Sequence, residues 1–113
     1  MPDNRKGTPS MAKCPVAQVV DLDPTALKRV EVDGVPICLA RLADGEVFAI
    51  SDICSHEDIE LSDGELDGDD VECPAHGSRF NVRTGEVSGL PADEPVDTYP
   101  VTIEDGQIFV ELP

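Results

Sequence analysis

Two short mixed pairs constrain this chain more than any other feature: Cys54-Ser55-His56 and, sixteen residues on, Cys73-Pro74-Ala75-His76-Gly77. They hold both histidines of the protein and two of its four cysteines. A fold that uses them together must bring two separated segments into one place. Two thiolates and two imidazoles then form a four-ligand set suited to a soft metal centre.

The rest of the chain alternates short extended runs with turn signals, the pattern of an all-β protein. The runs fall at residues 16–20, 28–32, 36–42 and 47–51, then 62–66, 70–72, 79–82 and 86–87, and finally 98–103 and 108–112. Asp33-Gly34, Asp44-Gly45, Thr84-Gly85 and Asp105-Gly106 stand between successive runs, as hairpin turns require. One helical turn is expected at 24–27. Both Cys–His pairs sit where the strand pattern breaks, the run 47–51 leading into the first and 70–72 into the second. In extended chain a Cys-x-His pair points both side chains to one face. Two such loops, each rooted in a strand, can converge at the end of a sheet.

The formal charge of −16, from 24 acids and 8 bases, makes nucleic acid and anionic membrane poor partners. No apolar run approaches the roughly 18–20 residues of a membrane-spanning helix. Residues 1–10 are polar, with Pro2, Gly7 and Pro9, and lack the apolar stretch of a secretory signal. The expectation is a cytoplasmic protein with one domain over residues 13–113, preceded by a flexible extension at 1–12 that contributes nothing to function. Cys38, within an alternating run, reads as a small apolar core residue, and Cys14 lies near the start of the chain. A bridge between them is not expected without an oxidising compartment.

Structural zinc sites ordinarily combine two close cysteines with two histidines three to five residues apart. Here each loop holds one of each, and a zinc-binding interaction module stays open as a reading of the residues alone. A Cys–His nucleophile would use one pair and leave its equal unexplained.

Cys54-x-His56 and Cys73-x-x-His76-Gly77 on this all-β background resemble the Rieske [2Fe–2S] motif. The resemblance runs over about residues 14–112 and includes Gly89-Leu90-Pro91, which is similar to the family's proline loop. It implies an antiparallel β-sandwich of stacked sheets with a cluster-binding subdomain of two loops, at about residues 53–91. It also implies one [2Fe–2S] cluster per chain, with Cys54 and Cys73 on the inner iron and His56 and His76 on the outer one. Replacing two thiolates by neutral imidazoles removes negative charge, so such a cluster accepts an electron more easily than an all-cysteine one.

Respiratory members of the family carry an extra cysteine pair beside the ligands, and the corresponding positions here are Ile59 and Ala75. They also use a serine and a tyrosine hydroxyl as hydrogen-bond donors to the cluster; Ser78 matches the serine, but Phe80 replaces the tyrosine. A lost donor destabilises the more negative reduced state, so the potential is expected toward the low end of the Rieske range of about −150 to +300 mV. Between the two pairs, nine of sixteen residues (57–72) are acidic and none is basic, which also makes a docking field for a basic partner. Arg79 and Arg83 are the nearest bases and are expected to temper that field.

The chain lacks a Gly-x-Gly-x-x-Gly fingerprint for a flavin or nicotinamide, and 113 residues leave no room for the mononuclear-iron domain of an oxygenase subunit. The resemblance therefore implies a monomeric ferredoxin, a carrier and not a catalyst. Its expected partners are a flavoprotein ferredoxin reductase and a terminal oxygenase of the aromatic-ring-hydroxylating kind. An accessory role in iron–sulfur cluster assembly or regulation is the alternative that keeps the cluster.

Overall fold

The computed structural model describes residues 12–55, 59–75, 77–90 and 94–112. Asp33-Gly34 folds Leu27–Val32 (β2) back onto Val35–Arg41 (β3), with both turn residues at positive φ, 51° and 79°. That backbone matches the twist of the flanking strands, and aspartate followed by glycine adopts it at little cost. Val47–Ser51 (β4) continues the meander against β3. The sheet is completed on the far side of β4 by Thr98–Tyr99 (β9), from much later in the chain.

Two further antiparallel sheets flank this one. Glu65–Asp67 (β5), Asp70–Glu72 (β6), Arg79–Asn81 (β7) and Val87–Gly89 (β8) form a four-stranded meander. Ala12–Gln18 (β1), Val101–Glu104 (β10) and Gln107–Leu112 (β11) form a three-stranded sheet in the order β1-β11-β10. The stacked all-β architecture is the one expected.

The topology places the segments that carry Cys54 and Cys73. Ala49 pairs with Tyr99 and Ile50 with Thr98, so the chain leaves the central sheet after β4 and returns beside it at β9. A bond from the Ser51 amide to the Asp97 carbonyl, 2.9 Å, closes the neck. The described residues between, Cys54 and Cys73 among them, form one excursion from the sheet.

β3 is the spine of the molecule. Ile37, Cys38, Leu39 and Ala40 are all buried in succession, because both faces of the strand are covered. Ile37 and Leu39 join Ile108 and Val110 in the core toward the three-stranded sheet. Cys38 and Ala40 join Ile50, Val71 and Phe80 in the core toward the excursion. Cys38 is the small apolar core residue expected, and none of the four cysteines is in a disulfide. Burial pushes its thiol pKa up, with the Asp52 charge adding to the effect.

Several local expectations are corrected. The run expected at 98–103 is two strands, because Pro100 has no N–H to donate to a ladder and sits where the chain changes sheets; its carbonyl accepts the Glu111 amide at 3.0 Å. Residues 24–27 form no helical turn. The Ala26 amide bonds the Asp23 carbonyl at 3.1 Å with Thr25 at φ 67°, a reverse turn with proline in its second place. The run expected at 62–66 opens instead as the short 3-10 turn Leu61–Asp63. β1 begins earlier than the expected 16, at Ala12, which pairs with Leu112; Pro15 is tolerated there beside a bulge on an edge strand. The rest of the expected extension, residues 1–11, lies outside the described residues.

Candidate metal centre

The two cysteines of the mixed pairs reach one core by different routes. Cys73 stands at the end of β6, at the tip of the β6–β7 hairpin. Its amide donates to the Ser78 carbonyl at 2.7 Å, and its carbonyl accepts the Gly77 amide at 3.1 Å. Gly77, at φ 79°, supplies the turn that follows Pro74. Cys54 comes three residues after β4, on a loop that pairs with its own return limb. Ile53 bridges Glu60, and the Cys54 amide donates to the Ile59 carbonyl at 2.9 Å.

Both cysteines are nearly inaccessible, at 3% exposure for Cys54 and 2% for Cys73, and both belong to the core group that contains Phe80 and Leu61. Ser78 is fully buried directly after that turn, and Phe80 is fully buried two residues later. Ile59 packs partly buried against the same core, while Ala75 is exposed. His56, His76 and Pro91 lie outside the described residues. Two thiols carried by separate hairpins into one apolar shell, with no disulfide between them, suit thiolate ligation of a soft metal.

Close backbone approach holds the two loops together. A Cβ on Gly64, just past the 3-10 turn, would lie 1.8 Å from the Glu72 carbonyl oxygen, so only glycine lets this turn pack against the end of β6. Ser55 donates from its hydroxyl to the Glu94 carbonyl at 2.6 Å, tying the residue after Cys54 to the segment after Leu90. Leu90 itself is 80% exposed.

Asp52 is a residue that pattern reading missed. It is fully buried and accepts from Arg29 Nη1 at 2.7 Å, from the Ser62 amide at 2.7 Å and from Ser62 Oγ at 3.0 Å. Hydrogen bonding to Asp52, then to Glu31, raises the pKa of Arg29 above its ordinary value. The only sequence signal was an acid among the apolar residues that end β4.

A cleft of about 310 Å³ opens beside the second loop, lined by Asp63, Gly64, Glu65, Glu72, Cys73, Pro74 and Gly77. Most described acids of the intervening segment meet an arginine, Glu60 lying 3.7 Å from Arg29. Arg79 lies 2.7 Å from Asp67, 3.7 Å from Asp70 and 4.0 Å from Glu72. Arg83 lies 3.2 Å from Asp69 and 3.1 Å from Glu46, over the Phe48 ring. The two arginines thus temper the field as expected. Among the described residues no cation pairs with Asp63 or Glu65, so the cleft keeps its negative charge. Glu57 and Asp58 lie outside the described residues.

Residues 12–100 match the family model of the Rieske [2Fe-2S] domain. The chain is 43% identical over 101 residues to the 3-phenylpropionate/cinnamic acid dioxygenase ferredoxin subunit of Escherichia coli (strain K12), covering 88% of this chain and 91% of that one. Its fold is similar to that of Sphingomonas yanoikuyae B1 ferredoxin, with TM-score 0.84 and 35% identity over 90% of this chain and all of that one. It is also similar to a chain from a complex of reduced oxygenase and oxidized ferredoxin in carbazole 1,9a-dioxygenase, with TM-score 0.80 and 36% identity over 85% of this chain and 98% of that one. These matches set aside the zinc module. The chain belongs to the Rieske [2Fe–2S] family, as one of its ferredoxins, an electron-transfer protein with one cluster and no substrate chemistry of its own.

Proposed function

We propose that this ferredoxin takes single electrons from a flavoprotein ferredoxin reductase and delivers them to a terminal oxygenase of the aromatic-ring-hydroxylating kind. The observation that carries the reading is the convergence of Cys54 and Cys73, from two separate hairpins, in one buried shell. Likeness to dioxygenase ferredoxins names the kind of partner. In this reading Cys54 and Cys73 hold one iron, and His56 and His76 hold the other. A bound [2Fe–2S] cluster supplies one-electron transfer with no bond made or broken in a substrate.

The chain's own residues tune and direct that transfer. The apolar shell of Phe80, Leu61 and Val71 excludes water from the two thiolates. In this reading Ser78 stabilises added negative charge with its hydroxyl, and Phe80 offers no second hydroxyl. The potential therefore falls toward the low end of the Rieske range of about −150 to +300 mV. Asp63 and Glu65 present a negative face to a basic partner surface. The protein works as a monomer in the cytoplasm. Among the described residues no helix is long and apolar enough to cross a membrane.

A reconstituted chain of reductase, this protein and an oxygenase tests the reading. The protein should hold about two iron and two sulfide, and oxygenase turnover should need it. His56→Cys and His76→Cys proteins that assemble a cluster should have lower potentials. An unchanged potential in both would refute the histidine assignment, and turnover at full rate without this protein would refute the carrier role.

A further inference from the structure

Asp52 uses every polar atom it has. Beyond the three bonds to its carboxylate, its amide donates to the Pro36 carbonyl at 3.1 Å and its carbonyl accepts the Leu61 amide at 2.7 Å. One residue thereby joins β2 through Arg29, β3 through Pro36, and the return limb of the first ligand loop through Leu61 and Ser62. Carboxylates are almost never fully buried without such pairing.

The two ligand loops need different support. Cys73 extends directly from β6, and β7 pairs with β6 immediately after the turn, Glu72 opposite Arg79. Cys54 has no such frame. Its loop leaves β4 at Ser51 and returns at Leu61 into a 3-10 turn; among the described residues its two limbs meet in the Ile53–Glu60 bridge, the Cys54–Ile59 bond and the bonds of Asp52. Asp52 sits at the base of that ladder and fastens its two limbs to each other and to the central sheet. The side chain does there what strand pairing does for the second loop.

We propose that Asp52 is a positioning residue for the iron–sulfur cluster, setting the place of the Cys54 sulfur through a closed knot with Ser62 and Arg29. The proposal rests on the reading of Cys54 as a ligand. Partners that orient a metal ligand ordinarily matter about 10- to 100-fold in metal retention or activity.

The test follows the purified cluster-loaded protein, by the electron paramagnetic resonance spectrum of its reduced form and by the rate at which a chelator strips its iron. Asp52→Asn keeps the size of the side chain but replaces one of its two acceptor oxygens by a donor, so either the Ser62 amide or the pair Arg29 and Ser62 hydroxyl loses its acceptor. It should shift and broaden the spectrum and speed iron loss about 10-fold or more. Ser62→Ala should move both readouts the same way by less, and Ser62→Thr, which keeps the hydroxyl, should restore them. Ile108→Val, in the opposite core, controls for stability and should leave the spectrum and the stripping rate unchanged. If Asp52→Asn does not fold, the Ser62 pair decides. Wild-type spectra and stripping rates in both Asp52→Asn and Ser62→Ala would overturn the proposal, as would equal acceleration in Ile108→Val. Cys54→Ser separates the two readings. An unaltered cluster there refutes the ligand assignment; a lost one beside wild-type behaviour of the Asp52 and Ser62 variants refutes only the positioning role.

Discussion

Phe80 lies in the core group of Cys54 and Cys73, Ser78 is buried two residues before it, and only Ser78 carries a hydroxyl. A hydroxyl that donates to a thiolate or sulfide favours the reduced, more negative state. Phe80→Tyr should therefore raise the midpoint potential and Ser78→Ala should lower it, both read by redox titration. Shifts of the same sign in the two variants would refute that account. Cys38 gives a second prediction at this scale. Burial raises its folded-state pKa above the ordinary thiol value of about 8.5. Its contribution to stability is fully present below that value and is lost as pH rises, because the unfolded chain ionises and the folded one does not. Stability should fall by up to about 1.4 kcal/mol per pH unit above about pH 8.5 on this account. Denaturant unfolding of Cys38→Ala should show a shallower alkaline decline than the parent.

Single backbone approaches decide how the elements meet. The 3-10 turn Leu61–Asp63 lies against the end of β6 only because residue 64 has no side chain. Gly85, at φ 78°, plays the same part where the chain returns toward β9; a Cβ there would lie 2.2 Å from the Val96 carbonyl oxygen, whose amide donates back to Gly85 at 2.9 Å. Gly64→Ala should cost about 1–3 kcal/mol, the usual range for forcing added volume into a packed site. Thermal unfolding measures this, and parent-like stability would show that the turn can move away from β6. The alanine should also loosen the loop that carries Cys54, since Ser62 lies in the displaced turn.

The whole molecule is a two-sided scaffold. One core binds the central sheet to the three-stranded sheet, and the other binds it to the excursion that carries Cys54 and Cys73. Arg83 braces the second junction, joining the turn after β7 to Glu46 beside β4. Charge is arranged on the same plan. The arginines neutralise acids at the rear of the excursion, while Asp63 and Glu65 stay uncompensated among the described residues. Electron transfer to a basic partner should therefore slow steeply as salt rises from about 0.01 to 0.15 M, where the screening length shrinks from about 30 to 8 Å. Stopped-flow rates that do not change with salt would remove the steering role of this face.

The amino-acid sequence by itself determined the all-β class, most strand positions and the two Cys–His pairs, because these rest on local chemistry. Asp-Gly turns, alternating apolar runs and ligand spacing are readable within a few residues. Pro100 shows where local reading stops: one extended run became two strands because its halves pair with different sheets. Tertiary structure alone decided that β4 and β9 are neighbours, that β3 is buried on both faces, and that Gly64 must be glycine. It alone revealed Asp52, whose partners Arg29, Pro36 and Ser62 come from three other parts of the chain. A buried carboxylate is stable only among partners gathered from a distance, and that gathering is what folding supplies.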